Sequence, residues 1–194
     1  NVYSGYQKCE IAENRAKMEK AWGVTGLPDW YGQTLTEQIN IGGDEIKTMY
    51  SLGLNPVVTY PDSNHVKRQL EKLDFLVVQD IFFTETCQYA DVILPGACFA
   101  EKDGTFTSGE RRINRVRKAT NPPGKAKEDI WIISELAKKM GLKGFDLPTA
   151  KDVWDDMRNC TPSMFGATYE KLEKPESIVW PCPTLEHCGT PILH

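Results

Sequence analysis

The sequence predicts an α/β fold, with a mainly parallel sheet flanked by helices and an irregular C-terminal extension. Two short apolar runs indicate the sheet: residues 75–78 stop at the polar pair Gln79-Asp80, and residues 92–94 stop at Pro95. Such runs are typical of strands covered on both faces, as in a parallel sheet. Helical spacing of apolar residues just before residue 75 adds the crossover that parallel strands need.

The first half of the sequence predicts four helices and three strands. In order, they are a helix over 11–22, a short helix capped by Thr34, a strand over 46–52, a helix over 64–73, a strand over 74–80, a short helix over 84–89 and a strand over 91–95. Thr34 and Glu37 have the spacing of a capping box. The strand, helix and strand between 46 and 80 form one right-handed β-α-β unit, so the predicted domain is Rossmann-like.

The patterns in the second half of the sequence predict two extended segments, at 105–107 and 112–117, and helices over 129–140 and 149–158. The apolar stripe of the first of these helices is formed by Ile132, Ile133, Leu136 and Met140. The remainder is rich in proline and predicts irregular structure. These patterns divide the chain into an α/β domain over 1–160 and an irregular extension over 161–194.

Composition narrows the class of protein. The 194 residues are 40% hydrophobic with a net charge of −4, which fits one core and argues against nucleic-acid or general membrane binding. No apolar run approaches the about 18 residues of a membrane span. Because the chain begins at Asn1, with no initiator methionine or signal peptide, we expect a piece of a longer protein.

The six cysteines form no C-x-x-C pair. Scattered reduced thiols in a cytoplasmic protein are the favoured interpretation. A metal site from Cys182, Cys188 and His187 is conceivable but disfavoured, because the spacing is not a usual zinc or iron–sulfur grouping.

Polar residues at the strand ends are candidates for a binding site. Gln79, Asp80 and the turn over 100–104 lie where ligands of parallel sheets bind, beyond the carboxyl ends of the strands. Asn55 follows the strand over 46–52, although Asn-Pro is also an ordinary turn dipeptide. The basic run over 111–118 has three open interpretations: it pairs with phosphates, pairs with acidic groups of neighbouring domains, or is a solvated surface.

The stretch over 74–117 resembles the signature of the molybdopterin oxidoreductases, and most closely the catalytic alpha subunit of formate dehydrogenase. The matching residues are Gln79-Asp80, Thr84, Thr86, Ala90-Asp91-Val92, Leu94-Pro95, Glu101, Gly104 and Glu110-Arg111-Arg112. Ser108-Gly109 replaces the asparagine that usually precedes Glu-Arg-Arg. NVYSGYQ at the start and FGATYEKL, WPCP and GTPILH in the tail extend the resemblance along the chain. The resemblance implies that the extension over 161–194 leads to the next domain of the full enzyme.

The resemblance implies a bis-molybdopterin guanine dinucleotide cofactor that carries molybdenum or tungsten. It places cofactor contacts at five positions, with Asp80 as the best candidate for the guanine: Asn55, Gln79, Asp80, Lys102 and Asp129. From the residues alone, Asp129 is equally a helix cap. For Lys102 the alternative is a solvated turn lysine.

The resemblance also implies that the intact enzyme oxidises formate to CO₂ and passes electrons through iron–sulfur clusters to an acceptor. The family's metal ligand, its neighbouring histidine and arginine, and the cluster cysteines would lie upstream of Asn1, so we assign no catalytic and no metal residue here. The expected partners are the remaining domains of the alpha subunit and an electron-accepting subunit, and this chain alone is expected to be inactive.

Two alternatives stay open. One is another molybdopterin oxidoreductase, such as a nitrate reductase. The other is a non-catalytic module that binds a nucleotide or a protein partner, because weak guanine-nucleotide binding without metal or turnover would fit the same residues.

Overall fold

The structure, a computed structural model, describes residues 2–146, 149–174 and 178–193. Its strands are β1 (Val2–Tyr3), β2 (Gln7–Lys8), β3 (Thr48–Leu52), β4 (Phe75–Asp80), β5 (Val92–Pro95), β6 (Gly104–Thr107), β7 (Arg112–Val116) and β8 (Ile178–Val179). Its α-helices are α1 (Ala12–Trp22), α2 (Leu35–Asn40), α3 (Pro56–Thr59), α4 (Ser63–Leu70), α5 (Asp129–Lys139), α6 (Ala150–Asn159) and α7 (Tyr169–Leu172). Short 3₁₀ helices lie at Ser4–Tyr6, Glu85–Tyr89, Phe99–Glu101 and Pro162–Met164.

The contacts of the chain divide it into two compact units. The first unit holds the described residues of Asn1–Gly32, Lys102–Thr120 and Ile130–His194, and the second holds Gln33–Glu101 and Asn121–Asp129. The predicted boundary after residue 160 separates the α/β domain from an extension that leads to the next domain of a longer protein. This boundary stays a prediction. Residues 175–177 and 194 of the predicted extension lie outside the described residues.

The second unit contains a parallel three-stranded sheet in the order β3-β4-β5, which confirms the predicted fold class. β4 lies in the middle, with Ser51 opposite Val78 on one side and Ile93 opposite Val78 on the other. The helices α2, α3 and α4 pack on one face of this sheet. The buried residues of this core are Ile39, Val57, Val66, Leu70, Leu76, Val78 and Cys87.

The other face of this sheet differs from the prediction that the strands are covered on both faces. Side chains alternate between the two faces of a strand, so Leu76 and Val78 enter the core while Phe75 points the opposite way. Tyr50, Leu52, Phe75 and Val92 are all at least 36% exposed. The apolar run of β4 therefore reflects one packed face and one open face in the part of the chain that the structure describes.

The first unit contains an antiparallel sheet in the order β6-β7-β8. Its core consists of Ile113, Trp154, Ala167, Tyr169, Leu172, Ile178 and Cys182. The tail is irregular over much of its length, as predicted, but Ile178 pairs with Ile113 and so adds a strand to this sheet. Among the described residues, no helix combines the length and the apolar character that crossing a bilayer requires.

Candidate functional site

The candidate site lies in the second unit, at the carboxyl edge of the parallel sheet. β4 ends at Gln79 and Asp80, which lie opposite Leu94 and Pro95 at the end of β5. The backbone N–H of Gly96 donates to the carbonyl oxygen of Asp80 at 3.0 Å, which holds the two strand ends together. The position matches the rule that ligands of parallel sheets bind beyond the carboxyl ends of the strands.

A later segment of the chain returns to this edge and brings Asp129 with it. Lys127 donates its N–H to the carbonyl oxygen of Pro95 at 3.0 Å, and Ala97 donates to the carbonyl oxygen of Lys127 at 2.8 Å. Asp129, the first residue of α5, accepts a hydrogen bond on Oδ1 from Nε2 of Gln79 at 2.5 Å. Three of the five predicted contacts, Gln79, Asp80 and Asp129, therefore meet at one edge.

Gly96 lies against both carboxylate residues. A Cβ added at this position would lie 3.5 Å from Oδ1 of Asp129 and 3.7 Å from the carbonyl oxygen of Asp80. The absence of a side chain leaves this part of the edge lined by backbone and carboxylate oxygens, which is a surface that accepts hydrogen bonds.

Gln79 is a buried polar residue with partners on both ends of its amide. Its side chain is 1% exposed. The hydroxyl of Tyr50 donates to Oε1 of Gln79, while Nε2 of Gln79 donates to Asp129. Burial, and then the negative charge of Asp129, raise the pKa of Tyr50. Sequence reasoning did not identify Tyr50, because a tyrosine within a strand carries no signal that separates a site residue from a packing residue.

Asn55 has a different environment from Gln79. Its Oδ1 accepts from the N–H of Thr86 at 3.3 Å and from the hydroxyl of Thr86 at 2.7 Å. Its Nδ2 donates to Oε2 of Glu85 at 2.7 Å, and this hydrogen bond is the main cause of the lowered pKa of Glu85. These hydrogen bonds hold the loop after β3 against the 3₁₀ helix after β4, so their role is structural.

Asp80 shapes the loop that follows β4. Its Oδ1 accepts from the backbone N–H of Phe82 at 3.1 Å, which is an Asx turn. The three residues after Asp80 are apolar and exposed, with Phe82 at 72% and Phe83 at 73%. The carboxylate thus lies next to a short apolar segment that faces solvent.

Lys102, the fifth predicted contact, belongs to the first unit. It follows the 3₁₀ helix Phe99–Glu101, in which Oε2 of Glu101 accepts from the N–H of Cys98 at 2.9 Å. The second unit alone brings the other four predicted residues to the ends of β3 and β4 and the start of α5.

The basic run finds acidic partners inside its own unit. Arg115 is 10% exposed at its side chain and pairs with Asp103 at 2.9 Å and with Glu173 at 2.7 Å. Arg117 also pairs with Glu173, at 2.5 Å. Arg111 donates to the carbonyl oxygens of Trp180, Thr190 and Pro191 in the tail. Arg111, Arg115 and Arg117 therefore hold the tail and α7 to the sheet of the first unit.

The described cysteine and histidine residues of the tail are not grouped as metal ligands. Within residues 2–146, 149–174 and 178–193, no group of three or more His, Cys, Asp and Glu side chains is arranged to hold a metal ion. The thiol of Cys182 is directed at the carbonyl oxygen of His187 at 3.1 Å, and burial raises the pKa of Cys182.

The hydrogen-bond acceptors at the sheet edge fit a guanine base. Guanine offers an N1–H and an amino group on one side, and a carboxylate can accept from both at once. Asp80 and Asp129 supply such carboxylates, and Gln79 holds one of them in place. A base whose edge lacks two adjacent N–H donors would form fewer hydrogen bonds with the same residues.

Comparison with known proteins identifies the family of the chain. Residues 3–139 match the sequence profile of the family Molybdopterin oxidoreductase. The chain is 48% identical over 195 residues to the "F420-dependent formate dehydrogenase subunit alpha" of Methanocaldococcus jannaschii, a match that covers 100% of this chain and 28% of that protein. It is 38% identical over 197 residues to the "Assimilatory nitrate reductase catalytic subunit" of Bacillus subtilis, covering 96% of this chain and 27% of that protein.

A solved structure shares the fold. "Acetylene Hydratase from Pelobacter acetylenicus" matches with a TM-score of 0.64 and 21% identity, covering 92% of this chain and 25% of that chain. At this identity the likeness concerns the fold alone. The chain spans 28% of the length of the formate dehydrogenase subunit that it matches.

Proposed function

Because the chain belongs to the molybdopterin oxidoreductase family, we propose that it forms one wall of the guanine-dinucleotide site in a formate dehydrogenase alpha subunit. The observation that carries the proposal is the meeting of Gln79, Asp80 and Asp129 at the carboxyl edge of the parallel sheet. Formate dehydrogenase is favoured over nitrate reductase because the identity to the formate dehydrogenase subunit is higher.

The chain's own residues would bind and orient the cofactor. Asp80 accepts hydrogen bonds from the N1–H and the amino group of guanine. Asp129, which is held by Gln79, offers a second carboxylate to the same edge of the base. Lys102 is proposed to contact a phosphate, and Asn55 to shape the loop that approaches the nucleotide. The cofactor of the intact enzyme is proposed to be bis-molybdopterin guanine dinucleotide, whose molybdenum or tungsten supplies the redox chemistry when bound.

The activity of the whole protein follows as a proposal from its relatives. It would oxidise formate to CO₂ and pass electrons through iron–sulfur clusters to an accepting subunit, with the remaining domains of the alpha subunit completing the site. This chain alone would have no turnover. We place it in the cytoplasm because none of its six cysteines, all of which the structure describes, forms a disulfide.

A nucleotide titration tests the proposal. Guanosine diphosphate is added to the ¹⁵N-labelled 194-residue chain, and amide shifts are followed by NMR for the wild type and for Asp80→Ala. We expect shifts around Asn55, Gln79 and Asp129 in the wild type, with affinity at least tenfold weaker in Asp80→Ala, because a charge-assisted pair of hydrogen bonds is lost.

Asp74→Ala is the matched control. Asp74 is exposed and lies just before the first residue of β4, at the opposite end of the strand from Asp80. Its removal should leave the titration unchanged. Equal affinities for the wild type and Asp80→Ala, or no shifts even at millimolar nucleotide, would overturn the proposed site.

A further inference from the structure

We propose that Tyr50 is a positioning residue of this site, which acts through Gln79 to fix the orientation of the Asp129 carboxylate. The inference rests on the proposed function and adds a residue that contacts neither base nor phosphate. It follows from three side chains in a row: Tyr50 on β3, Gln79 on β4 and Asp129 at the start of α5.

The direction of the hydrogen bonds in this row is fixed by chemistry. A carboxylate can only accept, so the amino group of Gln79 must face Asp129. The carbonyl oxygen of the same amide then faces Tyr50, and the phenolic hydroxyl must donate. Each member thus constrains the next, and the amide of Gln79 has one orientation that satisfies both neighbours.

The burial of Gln79 makes this orientation matter. With the side chain 1% exposed, water does not compete for either end of the amide. A buried carbonyl oxygen without a donor is costly, so removal of the Tyr50 hydroxyl favours a rearranged amide. Any rearrangement weakens the hydrogen bond to Asp129, because the same rigid group makes both contacts.

The strand register brings Tyr50 within reach of Gln79. Tyr50 lies opposite Val77, and Leu52 lies opposite Gln79. Because side chains alternate along a strand, Tyr50 and Gln79 share one face, two residues apart on neighbouring strands. A tyrosine is long enough to span this diagonal and reach Gln79. Leu52 lies directly beside Gln79 but has no polar group to offer it.

The electrostatics of Tyr50 agree with a donor role. Burial and the charge of Asp129 both disfavour the phenolate, which raises the pKa of Tyr50. The hydroxyl therefore keeps its proton at neutral pH. The charge of Asp129 is also felt at Tyr50 through the intervening amide, so the two groups can be tested as a coupled pair.

Two variants test the proposal through nucleotide binding. Tyr50→Phe keeps the ring and removes the hydroxyl, and Tyr60→Phe does the same to a tyrosine that packs against the core of the same unit. We expect Tyr50→Phe to weaken the binding of guanosine diphosphate about tenfold, the effect of one lost oriented hydrogen bond. Tyr60→Phe should bind like the wild type.

A second readout needs no ligand. The pKa of Tyr50 is measured from the ¹³Cζ shift of labelled tyrosine in the wild type and in Asp129→Asn. We expect the pKa of Tyr50 to fall in Asp129→Asn while that of Tyr60 stays constant, because only Tyr50 senses the carboxylate. Because this coupling acts through space, the fall in pKa tests whether Tyr50 and Asp129 lie as close together as the row of hydrogen bonds requires.

The outcomes separate this inference from the proposed function. Tenfold weaker binding by Tyr50→Phe together with the fall in the pKa of Tyr50 supports it. If Tyr50→Phe binds guanosine diphosphate normally while Asp80→Ala binds it more weakly, the role of Tyr50 is overturned and the proposed site stands. An unchanged pKa of Tyr50 in Asp129→Asn overturns the coupling whatever the nucleotide does. No binding by the wild type overturns the site, and the positioning role with it.

Discussion

Single side chains decide the shape of the candidate site, and Asn55 shows how. Its amide is held by Thr86, which is fully buried and lies 31 residues further along the chain. The hydroxyl of Thr86 also accepts from the N–H of Val57 at 3.4 Å. The loop after β3 therefore depends on one hydroxyl that belongs to a different part of the sequence.

Thr86→Val tests this dependence. Valine has the shape of threonine without the hydroxyl, so Oδ1 of Asn55 loses its shortest hydrogen bond while the fully buried position of Thr86 stays filled. We expect the free energy of unfolding to fall by about 2 kcal/mol. Urea denaturation measures the change. The control is Thr59→Val, because Thr59 is exposed and its hydroxyl bonds only a backbone oxygen of Asn55. Equal losses in the two variants would contradict the structural role of Thr86.

At the same scale, the sequence revealed the strand-end residues but not their partners. Gln79 and Asp80 are visible because a polar pair closes an apolar run. Tyr50 and Thr86 are not, since their roles arise from contacts between residues 29 and 31 positions apart. Local spacing carries no information on such pairs until the sheet register is known.

At the level of elements, apolar periodicity predicted the positions of helices and strands. It did not always predict which face of an element is buried. The predicted stripe of α5 included Ile133, Leu136 and Met140, which are at least 40% exposed. Ile132 of the predicted stripe is buried, together with Ser134 and Ala137. Small residues allow a helix to approach its neighbours closely, and a hydrophobic pattern alone does not rank them above larger residues that remain at the surface.

The sheet of the first unit is held by Arg115, whose substitution should be costly. Its guanidinium bonds Asp103, Glu173 and the carbonyl oxygen of Gly104, and lies 4.5 Å from the centre of the Tyr169 ring. Arg115→Met keeps most of the apolar length, so we expect a loss of about 2 kcal/mol in the free energy of unfolding at neutral pH, mainly from unmade hydrogen bonds.

The same variant should change the acid sensitivity of the protein. Hydrogen bonds from Arg115 and then Arg117 lower the pKa of Glu173 in the folded chain. Stability from Glu173 is therefore present above the ordinary pKa of a glutamate and is lost as the pH falls through the lowered value. Urea denaturation across this range should show a shallower acid loss in Arg115→Met than in the wild type, and parallel pH profiles would contradict the pairing.

For the whole molecule, the notable surface is the apolar segment formed by Ile81, Phe82 and Phe83, which we call the 81–83 segment. Each of the three is more than half exposed, and they are consecutive. Contiguous apolar surface promotes association, whereas apolar residues scattered singly are normal. We expect the wild-type chain to self-associate at high concentration and the double variant Phe82→Ser/Phe83→Ser to do so less.

Light scattering over a concentration series measures this effect. Met140→Ser is the control, because Met140 is 71% exposed and lies outside the 81–83 segment. It should associate like the wild type. A wild-type chain that stays monomeric at high concentration, or an equal reduction by Met140→Ser, would contradict a role for the segment.

The division into two units was beyond the sequence analysis. Each unit is assembled from segments that are far apart in the chain, and Asn121–Asp129 rejoins the unit whose earlier segment is Gln33–Glu101. Composition places boundaries where the chain changes character, as at the proline-rich tail, but it does not reveal which distant segments pack together.

The central claim is that the carboxyl edge of the parallel sheet recognises guanine through carboxylates, and calorimetric titration with three nucleotides tests it most directly. Guanosine diphosphate offers both donors to Asp80 and Asp129, inosine diphosphate lacks the amino group, and adenosine diphosphate lacks the N1–H. We predict affinity in that order, with about tenfold or more between the guanine and adenine nucleotides. Equal affinity for all three would show that the edge does not read the base and would contradict the account.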